Sequence, residues 1–195
     1  MRIVVIEFMS LDGVVQAPGG PEEDTDGGFA HGGWSHPFFD EALGTAWDDA
    51  LGQAEALLYG RRTWQGMAAA WPERAGDPFA DRMNAIPKYV VSSTLGDEEL
   101  TWNTSLIPGA EAVARIRELR DADGGGLLVM GSATLVRSLL REGLVDELRL
   151  MVEPVLLGGG KTIFPDDGAL RRLELVSTVT SGTGVHLATY KPPAE

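Results

Sequence analysis

The chain has 195 residues, enough to bury one good core and slightly short for two. Hydrophobic residues make up 44% and charged residues 23%, as in an ordinary globular protein, and apolar runs such as Leu127–Met130 and Val155–Leu157 are far too short to span a bilayer. A formal net charge of −13 disfavours a nucleic-acid partner, and the absence of cysteine excludes disulfides, thiolate catalysis and Cys-ligated metals.

Met1 to Met9 is an apolar run with β-branched residues and predicts a first, central strand. A charge inside the run and the lack of a small-residue cleavage site argue against a signal peptide, so a cytoplasmic protein is expected. Ser10-Leu-Asp-Gly13 breaks the strand with turn chemistry. Ala17 to Gly33 is rich in Gly, Pro and acidic residues and reads as a long mobile loop, of the kind that is either functional or disordered.

From Phe38 the pattern changes. Phe39, Leu43, Trp47, Ala50, Leu51, Ala54 and Leu58 recur at helical steps, with Asp40 and Glu41 in the first turn, where negative charge suits the dipole. Leu57–Gly60 is expected as a short strand, and Arg61-Arg-Thr-Trp-Gln opens a second helix. Lys88–Ser93 reads as a strand and Ala110–Arg120 as a helix. Gly124-Gly-Gly126 is a turn before the strand Leu127–Met130, and Thr134–Arg141 is a helix. Strands follow at Glu147–Val152, Leu173–Thr180 and Val185–Tyr190, with turns at Gly158–Gly160 and Ser181–Gly184. Strands alternating with helices, then an all-strand end, predict an α/β fold: a largely parallel sheet finished by antiparallel strands, in one domain over residues 1–195.

Gly158-Gly-Gly-Lys-Thr162 ends like a phosphate-cradling P-loop. Val155 stands where that pattern needs glycine, and Ile163-Phe-Pro-Asp-Asp-Gly168 cannot open a helix, so an NTPase is not expected. The glycine run is either a β-turn or a place where backbone approaches a ligand. A Gly-x-Gly-x-x-Gly fingerprint between strand and helix is absent.

Three other segments gather anion-binding donors at strand ends. Gly60-Arg-Arg-Thr63 joins a helix start, a hydroxyl and two guanidinium groups. Val90-Val-Ser-Ser-Thr94 ends a strand in hydroxyls, and Val129-Met-Gly-Ser132 runs through glycine into a helix. Each alone also reads as a solvated cap or turn; together they fit a ligand lying beyond the carboxyl ends of the strands. The acid–base inventory is thin. His31, His36 and His186 form no metal-spacing pair, no metal site is expected, no serine-hydrolase context exists, and Asp48-Asp49 and Asp166-Asp167 read as solvated. Hydride transfer, in which a cofactor carries the reactivity, suits such an inventory.

Five segments in order resemble the dihydrofolate-reductase-like superfamily, in the branch of the reductase domain of bacterial riboflavin biosynthesis. They are Ser10-Leu-Asp-Gly-Val14, Gly60-Arg-Arg-Thr-Trp64, Val90-Val-Ser-Ser-Thr94, Val129-Met-Gly-Ser132 with Leu144-Val-Asp-Glu-Leu148, and Pro154-Val-Leu-Leu-Gly-Gly-Gly-Lys161 with Phe164-Pro165. The resemblance implies a three-layer α/β/α domain with NADPH across the strand ends. Gly60, Arg61, Arg62 and Thr63 would take the 2′-phosphate and pyrophosphate, and Ser92, Ser93 and Thr94 the adenine ribose. Gly131, Ser132, Ala133, Thr134 and Leu135 would wrap the pyrophosphate and nicotinamide side. Asp12, Gly13 and Val14 would lead into a loop closing over the nicotinamide.

In such enzymes a carboxylate on the first helix holds the substrate, and Asp40 is the nearest match, the proton coming from it or from water. Trp34, Phe38, Phe39 and Leu43 would wall a small, flat heterocycle of pterin or pyrimidine type. The acidic loop does not suit a phosphorylated substrate. The likeness also implies a homodimer through the C-terminal strands. Two rival readings are a non-catalytic nucleotide-binding protein that kept the cleft, and a flavin- or drug-binding module stacking its ligand on Trp34, Trp64 and Trp71.

Overall fold

In the computed structural model, residues 1–74 and 76–194 are described. Among the described residues, eight strands form one sheet and no helix is long and apolar enough to cross a membrane. In chain order the strands are β1 (Arg2–Ser10), β2 (Ala54–Gly60), β3 (Lys88–Ser92), β4 (Thr104–Pro108), β5 (Gly126–Met130), β6 (Glu147–Glu153), β7 (Glu174–Thr180) and β8 (His186–Lys191). Their spatial order is β4-β3-β2-β5-β1-β6-β8-β7. The first six in that order pair in parallel; β8 runs antiparallel to β6, and β7 antiparallel to β8. This is the mostly parallel sheet with antiparallel C-terminal strands that the pattern predicts.

Among the described residues five α-helices cover the sheet: α1 (Glu41–Gly52), α2 (Arg61–Ala70), α3 (Pro78–Ala85), α4 (Ala112–Asp121) and α5 (Ala133–Arg141). β1 is central because its residues bury on both faces. Ile3 and Val5 join Ile116 of α4 and Val136 and Leu139 of α5, while Val4 and Ile6 join Leu43 and Leu51 of α1, Trp64 of α2 and Met83 of α3. Each such aliphatic side chain contributes about 1.5–3 kcal/mol by leaving water. The result is three layers, helix on sheet on helix.

The helix expected from Phe38 begins later. Asp40 stands outside it as N-cap, its Oδ1 accepting from the amides of Ala42 at 3.0 Å and Leu43 at 3.3 Å. Phe38 lies in a short 3₁₀ turn, and Ala54 and Leu58 belong to β2 rather than to the helix. Two elements escape the periodicity, α3 and β4. The first carries a start signal, Asp77 capping the Ala80 amide at 3.0 Å with Pro78 in the first helical position. At the sheet edge, every residue of β7 is exposed.

Candidate functional site: the carboxyl ends of the parallel strands

Strand β2 runs directly into α2, and β5 reaches α5 through Gly131 and Ser132, so two helix N-termini meet beyond neighbouring strand ends. The Gly60 amide donates to the Ser132 hydroxyl at 2.7 Å, and a Cβ on Gly131 would stand 3.1 Å from the Thr63 methyl. Neither helix has a side-chain cap, so their first-turn N–H groups remain available to an anion. Gly131 and Ser132 both hold positive φ, 71° and 72°. Glycine takes this freely, whereas serine does so at a cost of about 1 kcal/mol. That strain aims the Ser132 hydroxyl at Gly60. Ala133 and Thr134 continue the first turn of α5, and Leu135 is core.

The other expected donors lie on the same edge. At the end of β3 the buried Ser92 hydroxyl accepts from the amides of Thr94 and Leu95, both at 3.1 Å, while Ser93 and Thr94 are exposed. Ser93 lies against Gly109, just past β4. The turn after β1 is fastened from within: Ser10 Oγ donates to Asp12 at 2.6 Å and accepts from the Val14 amide at 2.9 Å. Asp12 in turn accepts from the amides of Leu157 and Gly158. The Ser10 bond first, then Gly158, hold its carboxyl below the usual range. Asp12 therefore ties the turn through Gly13 and Val14 to the Gly158–Gly160 loop. Backbone freedom matters at Gly160: at φ 146° a Cβ there would meet Val14 at 2.6 Å.

The two arginines differ. Arg61 reaches Gln65 one turn on. Arg62 pairs with Asp26 and lies 4.0 Å from Asp24, and both carboxylates also hold Lys161 Nζ. Gln16 completes the clasp, its side chain donating to the carbonyls of Asp24 and Asp26 and accepting from the Lys161 amide. The acidic loop thus lies over the cations that an anionic ligand would use, beside a hollow of about 550 Å³ that includes Phe29, His31 and Leu157–Lys161. Lys161 opens no helix, as expected. Among the described residues, no group of three or more His, Cys, Asp or Glu is placed to hold a metal.

Asp40 stands at the head of α1. One oxygen caps α1 and the other faces Thr183 Oγ1 at 3.4 Å and Gly182, in the turn between β7 and β8. Burial works to raise its pKa, but the donors of Leu43, Ser181, Thr183 and Ala42 outweigh it and leave the carboxyl below its ordinary value. A group held ionised is a poor proton source. The expected substrate wall also divides. Leu43 is wholly core, and Trp34 is buried with its indole N–H donating to the Gln16 carbonyl at 2.7 Å. Phe38 is half-buried against the α1-side core, and only Phe39 stands open, 56% exposed.

Two buried acids were absent from the sequence-based inventory. Glu153, the last residue of β6, is 0% exposed; Oε1 accepts from Ser35 Oγ at 2.6 Å and Oε2 has no partner. Burial raises it to about 7, the Ser35 bond opposing. Glu7, one residue beyond the Ile6–Met130 pair, is level with the Gly131 turn. Its Oε1 also lacks a partner, and burial, with Glu23 adding, pushes its carboxyl well above the usual range. An acid at a strand's end reads as solvated until a distant segment covers it, and Ser35 lies 118 residues from Glu153.

A family model described as the RibD C-terminal domain matches residues 2–187. Among curated proteins, YyaP of Bacillus subtilis (strain 168), described as uncharacterized, is 27% identical over 198 residues, covering 97% of this chain and 94% of the relative. The crystal structure of a putative riboflavin biosynthesis protein from Shewanella sp. PV-4 matches with a TM-score of 0.73 at 18% identity, over 100% of both chains. A dihydrofolate reductase from Enterococcus faecalis, solved with NADP(H), matches with a TM-score of 0.61 at 16% identity, over 99% of this chain and 97% of that one. The chain thus shares the fold of these two structures.

Proposed function

We propose that this chain, which belongs to the RibD C-terminal domain family, is an NADPH-dependent reductase that delivers hydride to a small, flat heterocycle of pterin or pyrimidine type. One observation carries the reading: two uncapped helix N-termini, of α2 and α5, locked together by the Gly60–Ser132 bond beyond adjacent parallel strands. Such a junction suits a diphosphate, whose charge meets free N–H groups and two dipole ends. The glycine at 131 keeps the approach open, since a Cβ there would crowd Thr63.

In this reading the first turns of α2 and α5 bind the diphosphate, and Arg61 the 2′-phosphate. Arg62 joins once Asp26 releases it. Ser93 and Thr94 are exposed to meet the adenine ribose, and the buried Ser92 shapes their turn. The turn Asp12–Val14, fastened to the glycine loop, excludes water from the nicotinamide end. The bound cofactor would supply the hydride. Phe38 and Phe39 shape the substrate end, and a proton reaches the product from water or from a buried acid of this chain.

Loss of reduced-nicotinamide absorbance with a panel of pterin, pyrimidine and quinone acceptors tests the reading. Consumption that needs both protein and acceptor supports it, and no consumption with any acceptor counts against it. A second reading, a nucleotide-binding protein without turnover, is favoured by one observation: Arg62 and Lys161 are already neutralised by the chain's own Asp24 and Asp26.

A further inference from the structure

Glu153 offers more than the reading above requires. A fully buried carboxyl with one oxygen unpartnered is costly, and folded proteins keep few such groups without a use. Its neighbours cannot satisfy it. Ser10, its register partner on β1, already donates to Asp12 and accepts from Val14. Among the described residues no cation bonds to it.

Strand alternation turns Glu153 to the same side of the sheet as Met151, which packs with α1 in the second core. On that side a second polar atom is also orphaned. Trp47 of α1, against Phe8 of β1 at 5.3 Å between ring centroids, has a buried indole N–H with no acceptor. Both orphaned atoms thus belong to the α1 side of the sheet, an acceptor on β6 and a donor on α1.

We propose that Glu153 is the substrate-recognition residue of the α1 side, its carboxyl gripping adjacent ring and amino N–H donors of an uncharged nitrogen heterocycle. The assignment rests on the reading that this side of the strand ends holds the substrate. Ser35 is the stand-in: its hydroxyl occupies Oε1 until the segment from Gly33 to Phe38 draws back and the ligand replaces it. Two N–H donors from the ligand favour the ionised carboxylate, which with no cation beside it repels phosphate and carboxylate groups, so the substrate is unphosphorylated at this end.

Calorimetric titration with isocytosine, a flat ring with two adjacent N–H donors and a carbonyl, tests the assignment. Wild-type protein is expected to bind it, and Glu153→Gln, which turns an amide N–H toward the ligand's donors, to bind at least tenfold more weakly. Ser35→Ala, which removes the competing hydroxyl, is expected to bind several-fold more tightly and serves if the Gln variant does not fold. Failure of wild-type protein to bind isocytosine, or equal binding by Glu153→Gln, overturns the assignment. NADPH titrated separately against the same proteins should bind wild type and Glu153→Gln alike. If NADPH does not bind at all, the reductase reading falls, while the isocytosine comparison still decides the role of Glu153.

Discussion

The backbone N–H of Gly60 donates to the hydroxyl of Ser132 across 2.7 Å, joining two helices that start 72 residues apart. Ser132→Ala leaves that amide without its acceptor. The expected cost is about 1 kcal/mol in denaturant unfolding, the usual worth of such a bond. The Kd for NADPH is expected to rise several-fold in the same variant, because the two N-termini lose their fixed spacing. Lost stability with unchanged cofactor affinity would make the bond structural only.

Asp24 and Asp26 occupy Arg62 and Lys161 as a phosphate would. Replacing both by Asn should free the two cations and tighten NADPH by up to about tenfold, the scale of one or two exposed ion pairs. Titrations at low and high salt check the cause. The gain should shrink as salt screens the freed cations.

Asp40 separates capping from catalysis. Asp40→Asn keeps an oxygen for the Ala42 and Leu43 amides, so stability should change little, whereas Asp40→Ala should lose about 1 kcal/mol. The pH profile of turnover in Asp40→Asn should match that of the wild type. A shifted profile would return Asp40 to the chemistry.

Stability should fall as pH rises through mildly acidic values. The Glu153 carboxyl goes from an ordinary 4.5 to about 7 through burial. The unfolded chain gives up this proton above about 4.5 while the folded chain keeps it. The contribution is therefore whole below that pH and is lost by about pH 7, by at most about 3 kcal/mol. Glu7, also raised by burial, acts in the same direction. Thermal melts across this range should be flatter for Glu153→Gln than for the wild type.

The framework of the site was legible because it rests on local chemistry. A β-branched run buried on both faces made β1, and glycine followed by hydroxyl and arginine at a strand's end marked the start of α2. Ser132 at the head of α5 was found the same way. What was missed depends on contacts remote in sequence. Glu153 becomes an unusual acid only when Ser35 covers it, and Arg62 loses its freedom only because the loop folds back on it. Asp40 was visible, but its capping role was not read: an aspartate directly before a helical run serves as a cap, and here Oδ1 is taken by the helix it starts. The short α3 and β4 span too few residues for periodicity to speak, although Asp77-Pro78 announced the former.

Titration of NADPH and NADH against intrinsic tryptophan fluorescence, on wild type and on Arg61→Ala/Arg62→Ala, tests the central claim most directly. A nucleotide seated on the α2 and α5 N-termini should bind wild type tightly as NADPH and more weakly as NADH, with the double variant losing NADPH affinity much more than NADH affinity. Equal weakening of the two would misplace the 2′-phosphate. Binding of neither by the wild-type protein would contradict the claim outright.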